Sequence, residues 1–187
     1  MSQRKKYEVA FLEGYKPAVI TTKKNPFIPE LIKYPHNSSF DSDSNLYIFF
    51  QEEQQKTEFE KQIENIQEES YDYHYIIGLT LGFPKRSVQF YANMRQLEEI
   101  LGKYPEEEER NGIGVIWSGF FFSSHFVFFK EDVRWLWDTY THPKAINHPL
   151  FLWTEETSYL EVPYGDFHRL NEMHEYILQK RGLVPAI

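Results

Sequence analysis

The sequence predicts an α+β fold, a mainly antiparallel sheet with about five helices packed on it. Three observations lead there. Strand-like and helix-like apolar patterns follow one another without strict βαβ alternation. Several short strand-like runs lie close enough in sequence to pair as hairpins. Aromatic residues make up 18% of the chain, enough ring area to fill the core such a fold requires.

Taken in order, Tyr7 to Leu12 and Ala18 to Thr22 read as short strands around the turn residues Glu13-Gly14-Tyr15-Lys16-Pro17. Pro26, Pro29 and Pro35 break any long element. His36 to Asn45 reads as a polar, mobile loop, and Leu46 to Phe50 as a dense apolar strand. A surface helix is expected over Gln54 to Glu69, with Phe59, Ile63 and Ile66 on its buried stripe. Tyr71 to Leu81 reads as a buried helix, with a strand as the alternative its isoleucines and tyrosines leave open. Gly82 supplies a left-handed helix end and Pro84 suits the first turn of the next helix, which runs to about Lys103. After the solvated Pro105 to Gly112 comes the most strand-like segment, read as one hairpin turning near Ser123-Ser124. Lys130 to Tyr140 is a helix, Leu150 to Thr154 and Tyr159 to Val162 a second hairpin. Asp166 to Arg181 is a final helix closed by Gly182.

The 187 residues suit a single α+β domain over residues 1–187. The chain has no cysteine, which removes disulfides, thiolate nucleophiles and Cys-based metal sites. No apolar run reaches the length of a membrane helix and no signal-peptide core follows the basic N-terminus, so a cytoplasmic protein without a membrane partner is expected. A net charge of −8 argues against direct binding to nucleic acid, whose affinity comes largely from neutralised phosphates.

Gly78-x3-Gly82-x2-Lys85-x-Ser87 has the outline of a phosphate loop, but the nucleotide-binding pattern needs four residues between its glycines and Lys-Ser/Thr directly after the second. Pro84 also lacks an N–H. What remains is an anion site at the start of the second helix, formed by Lys85, Arg86 and Ser87, beside the plain alternative of a helix–helix corner. The segment from Ile77 to Tyr91 resembles the Gly-x-x-Leu-Gly-Tyr-Pro-x-x-x-Val-x-x-Phe signature of a family of small bacterial proteins of uncharacterised function. Gly78, Leu81, Gly82, Pro84 and Val88 match, and Phe83 stands for the Tyr. Lys16-Pro17-Ala18 is similar to a Lys-Pro-Ala common near the start of that family. Its usual His, three residues before the first Gly, falls at Tyr75, with His74 one position earlier. The resemblance covers the N-terminal half and implies no activity or site.

Asp41, Asp43, Asn45 and Glu52 have calcium-loop spacing, yet Leu46 takes the position that needs Gly. On the last helix His168 and Glu172 stand one turn apart and could hold a divalent metal with His142, His148 or His125 as a further ligand. A solvated helix-stabilising pair is the competing reading. Beyond that divalent metal no cofactor is predicted. Ser118 lacks the Gly two residues earlier that a nucleophile elbow uses. Phe120, Phe121 and Phe122 place rings on both faces of a strand, so both faces need cover. Trp135 and Trp153 add aromatic surface suited to a partner.

Three functions follow as expectations. The first is a noncatalytic protein-binding or regulatory protein, acting on a protein partner or as a homodimer through aromatic and acidic surface. The second is a small metal-dependent hydrolase using His168, Glu172 and His142 or His148. The third is an acidic mimic or inhibitor of nucleic-acid binding.

Overall fold

The computed structural model describes residues 4–40 and 45–183. Asp41 and Asp43 of the calcium-loop reading lie outside these residues, as does the segment 41–44 of the predicted loop. The described residues form two antiparallel sheets with helices around them, and the α+β expectation holds. One sheet was expected, but the strands separate into sheets of three and four.

The first sheet has the order β1-β3-β2, built from β1 (Ala18–Thr22), β2 (His36–Asn37) and β3 (Leu46–Phe50). Its central strand reads Leu-Tyr-Ile-Phe-Phe because both faces are covered, and such strands lack polar alternation. Ile48 and Phe50 pack with Ala18, Phe40 and Phe59 on one side. Phe49 packs with Phe11, Val19 and Leu31 on the other. His36 and Asn37, predicted as loop, pair with Phe49 and Ile48, and Phe40 joins the core.

Tyr7 to Leu12, expected as a strand, is a short helix, α1 (Tyr7–Leu12). Tertiary contact decides this. The helical turn puts Phe11 into the first core, Ala10 against Gly119 in the second half of the chain, and Glu8 under Thr21 and Asn25, which both donate to its carboxylate. A one-turn helix, α2 (Ile28–Leu31), supplies Leu31 to the same core.

The five longer helices fall where the sequence places them: α3 (Glu53–Ile63), α4 (Tyr71–Thr80), α5 (Lys85–Leu101), α7 (Phe129–Thr139) and α9 (Phe167–Lys180). Between them stand the one-turn α6 (Glu106–Glu109) and α8 (Pro143–Ile146). The α3 helix ends at Ile63, earlier than predicted; farther on Glu69 adopts a positive φ, and Ser70 caps α4 by accepting from the Tyr73 N–H at 3.2 Å. Asp166 caps α9 in the same way, accepting from the Arg169 N–H at 2.9 Å.

The second sheet has the order β5-β4-β6-β7, from β4 (Gly112–Trp117), β5 (Phe120–His125), β6 (Leu150–Thr154) and β7 (Thr157–Val162). The β4–β5 hairpin turns at Ser118-Gly119, not at Ser123-Ser124. Both turn residues have positive φ, 44° and 86°, the combination whose twist matches a two-residue hairpin. Ser124 is instead a buried strand residue that donates to Asp132. The inner face carries Val115, Trp117, Phe120 and Leu152 and packs against Val133 and Leu136 of α7 and Leu170 and Ile177 of α9. Among the described residues the outer face carries no comparable layer of helices. Phe121, 64% exposed, stands on it.

Buried polar contacts join the two halves. Lys16 reaches between the rings of Phe120 and Phe83, 4.0 and 4.7 Å from their centroids, and donates to the Leu81 carbonyl at 3.1 Å. Burial pushes its ammonium down to a pKa of about 7. Tyr140 donates to the Gly82 carbonyl at 2.8 Å, and Tyr15 to that of Ser118 at 2.8 Å. No helix among the described residues is long and apolar enough to cross a membrane.

Candidate functional site

The α4–α5 hairpin stands against the free edge of β5, and between it and the outer face of the second sheet lies a cavity of about 500 Å³. Two glycines shape it. A Cβ on Gly78 would sit 2.7 Å from Val88 Cγ1, so Gly78 lets α4 and α5 approach closely. A Cβ on Gly114 would lie 3.2 Å from Cε3 of Trp153, so the indole can spread across the strand beside it. Ile77, Leu81, Val88 and Phe83 provide an apolar side, and Phe121, Trp153, Tyr91 and Tyr104 provide rings.

The polar side contains Glu109, Arg110, Glu155, Glu156 and Arg181. Arg181 follows α9, and its side chain is only 7% exposed. Nη2 donates to the Gly112 carbonyl at 2.8 Å and Nε to Glu156 at 3.2 Å, while Nη1 is buried without a hydrogen-bond partner. Burial alone would raise the Glu156 carboxyl. Its own backbone N–H, Thr154 and the Arg181 guanidinium together hold it below the usual range. Tyr104 donates to Glu109 at 3.0 Å, and burial together with that carboxylate pushes its phenol up to about 12.

His74 of α4 lines the same cavity, buried edge-on to Tyr73 and Tyr91. Its Nε2 lies 3.2 Å from Glu69 Oε2 but lacks hydrogen-bonding geometry. Burial lowers its pKa despite the pull of Glu69. Behind it Arg95 holds Glu98 at 2.5 Å and Glu69 at 3.1 Å.

Of the site residues expected from sequence, Ser87 and Trp153 line this cavity. The Ser87 hydroxyl donates to Asp132 at 2.6 Å, and Ser124 donates to the same oxygen at 2.7 Å. Burial raises the Asp132 carboxyl, and the two hydroxyls offset part of that rise. Arg86 stacks over Phe128 at 4.7 Å. Lys85 opens α5 next to Pro84. Glu52 precedes α3, its N–H bonded to Gln55 Oε1 at 3.0 Å.

His168 and Glu172 do form an ion-pair contact at 3.4 Å, on an exposed helix face where Arg169 also reaches Glu172 at 3.1 Å. His142 lies elsewhere, stacked on Tyr15 and accepting from the Lys144 N–H. His148 lines a shallow recess beside Lys5 and Phe151, and His125 stacks on Phe126. Among the described residues no group of three or more His, Asp or Glu side chains is placed to hold a metal ion. Trp135, 41% exposed, sits on α7 edge-on to Tyr140.

Sequence reasoning passed over Arg181, Gly114, Tyr91 and Tyr104. A lone Arg at a helix C-terminus carries the ordinary signature of a dipole partner, so nothing local marks Arg181 as a cavity residue. Neither protein-family models, curated proteins nor solved structures give a match to this chain.

Proposed function

We propose that the protein is a noncatalytic binding protein whose cavity beneath the α4–α5 hairpin takes a small, largely apolar ligand. The cavity itself carries this reading. At about 500 Å³ it falls within the roughly 300–1,000 Å³ typical of small-molecule sites, and it combines aromatic walls with a few buried polar groups. The Ser87 hydroxyl, which lines the cavity, is engaged in holding Asp132. The test is titration with an environment-sensitive naphthalene dye, read by dye emission and by energy transfer from tryptophan. Saturable binding that weakens in Phe121→Ala and in Trp153→Ala is expected. Binding that is unsaturable, or indifferent to both substitutions, would remove the reading.

A second reading, regulatory contact with a protein partner, is favoured by the exposure of two rings that line the cavity, Phe121 at 64% and Trp153 at 41%. The carboxylates of Glu109, Glu155 and Glu156 border this surface, so a partner with a basic rim suits it better than a second copy of the same acidic rim. Sedimentation at high concentration separates the two partners: a concentration-dependent dimer abolished by Phe121→Asp would favour self-association instead.

A further inference from the structure

Two side chains that line the cavity are nine-tenths buried and carry a nitrogen outside any hydrogen bond: Arg181, 7% exposed, and His74, 9% exposed. A buried donor left unpaired costs free energy, so a ligand that satisfies it gains more than the same group would gain at the surface. Arg181 offers the stronger donor. Its charge, however, is already met by Glu156. What remains is hydrogen-bonding capacity, not an unneutralised charge.

The surrounding charges sharpen the choice. On this side of the cavity Glu109, Glu155 and Glu156 outnumber Arg110 and Arg181, so a ligand carboxylate or phosphate would meet a net negative surface. A ligand cation would find aromatic walls, but would leave Nη1 unpaired and lie near a buried guanidinium. An uncharged acceptor avoids both penalties. The rings of Trp153, Tyr91, Tyr104 and Phe121 favour a flat molecule, because stacked or edge-on contact with an aromatic body adds to simple area burial.

On the reading of this cavity as a ligand site, we infer that it selects a planar, mostly apolar molecule bearing an uncharged hydrogen-bond acceptor, such as a ring ketone or amide oxygen, which Nη1 of Arg181 receives. Nη1 is closed off from solvent, so the acceptor reaches it only with a local displacement of the side chains around Arg181.

The experiment uses four matched naphthalene probes on the full chain: a dimethylamino-naphthyl ketone, the analogue with a methylene in place of the carbonyl, the carboxylate and a trimethylammonium derivative. The ketone is expected to bind about tenfold more tightly than the methylene analogue, and more tightly than either ion. In Arg181→Met the ketone should lose this advantage while the methylene analogue binds as before. In Phe121→Ala, which alters an exposed wall residue, all four should weaken together. Should Arg181→Met fail to fold, the carbonyl stretch of the ketone bound to the wild-type protein decides: a shift to lower frequency than in hydrocarbon solvent supports the inference. Equal affinity of ketone and methylene analogue, tighter binding of either ion, or an unshifted carbonyl overturns it while leaving the cavity reading intact. No binding of any of the four removes the cavity reading and the inference with it.

Discussion

The two sheets solve the burial problem differently. In the first, β3 is covered on both faces, by α1 and α2 on one side and by α3 and α4 on the other, so Ile48, Phe49 and Phe50 have no exposed surface. In the second, α7 and α9 cover one face only. The other receives partial cover: the N-terminal segment crosses it where Arg4 stacks on Tyr159 at 3.7 Å, and the α4–α5 hairpin flanks its β5 edge. A cavity with aromatic walls lies in the gap. The first sheet is therefore a place for packing energy, and the second leaves room for the ligand proposed above.

The largest effect that tests this division is expected in the first sheet. Phe49→Ala removes a ring from a site with no solvent contact and should cost about 3–5 kcal/mol of unfolding free energy. Denaturant titration measures it. A loss below about 1 kcal/mol would mean that β3 is not the packed element described, since buried aromatic truncations rarely cost so little.

The next effect lies at the seam between the halves. Lys16 has a folded pKa of about 7 against 10.5 for the free side chain. Between those values the unfolded chain binds more protons than the folded one, so its contribution to stability rises with pH across that window and is flat below about pH 7. Lys16→Met is therefore expected to gain on the wild type by a few kcal/mol below pH 7 and to surrender that gain by pH 10.5. Unfolding free energies of both proteins across this range give the difference directly. A difference independent of pH would show that Lys16 keeps its ordinary pKa, and that the cation between Phe83 and Phe120 is not desolvated.

Much of this architecture is legible in the sequence where a local rule and the tertiary environment agree. Leu46 to Phe50 reads as a covered strand because nothing polar interrupts it. Gly82, with φ of 80°, ends α4 as expected, and Asp166 and Gly182 bracket α9. Legibility fails where a distant contact decides. Tyr7 to Leu12 becomes helical because Ala10 must meet Gly119 and Glu8 must meet Thr21 and Asn25. The sequence reading puts a turn near Ser123 and Ser124, poor residues for a tight turn, but Ser124 is polar because it holds Asp132 from inside the sheet. Of the cavity, Trp153 is visible as a large ring on a strand. Arg181 and Gly114 are not, since their roles depend on elements far away in the chain.

The hairpin that roofs the cavity gives a smaller effect. Gly78→Ala places a methyl 2.7 Å from Val88 Cγ1, within a helix where Ala would otherwise be the better residue. Overpacking of this kind costs about 1–3 kcal/mol, so a net loss despite the propensity gain is expected. Val88→Ala in the same chain should restore part of it, which a double-mutant cycle of thermal unfolding reads as a coupling between the two positions.

The smallest stability effect carries the most information about the second sheet. Phe121 is flanked in the strand by Phe120 and Phe122, two rings of the inner core, yet its own ring stands 64% exposed on the other face. Phe121→Ala should leave unfolding free energy within about 0.5 kcal/mol of the wild type, as surface truncations do. The same substitution should weaken probe binding several-fold, because the ring forms one wall of the cavity. The contrast with Phe49→Ala is the point: two phenylalanines on β-strands, one expected to destabilise the fold by several kcal/mol and the other to blunt only what it binds. If Phe121→Ala destabilised the fold as much as Phe49→Ala, the outer face of the second sheet would be a covered core surface like that of the first, and the division of labour between the sheets would not exist.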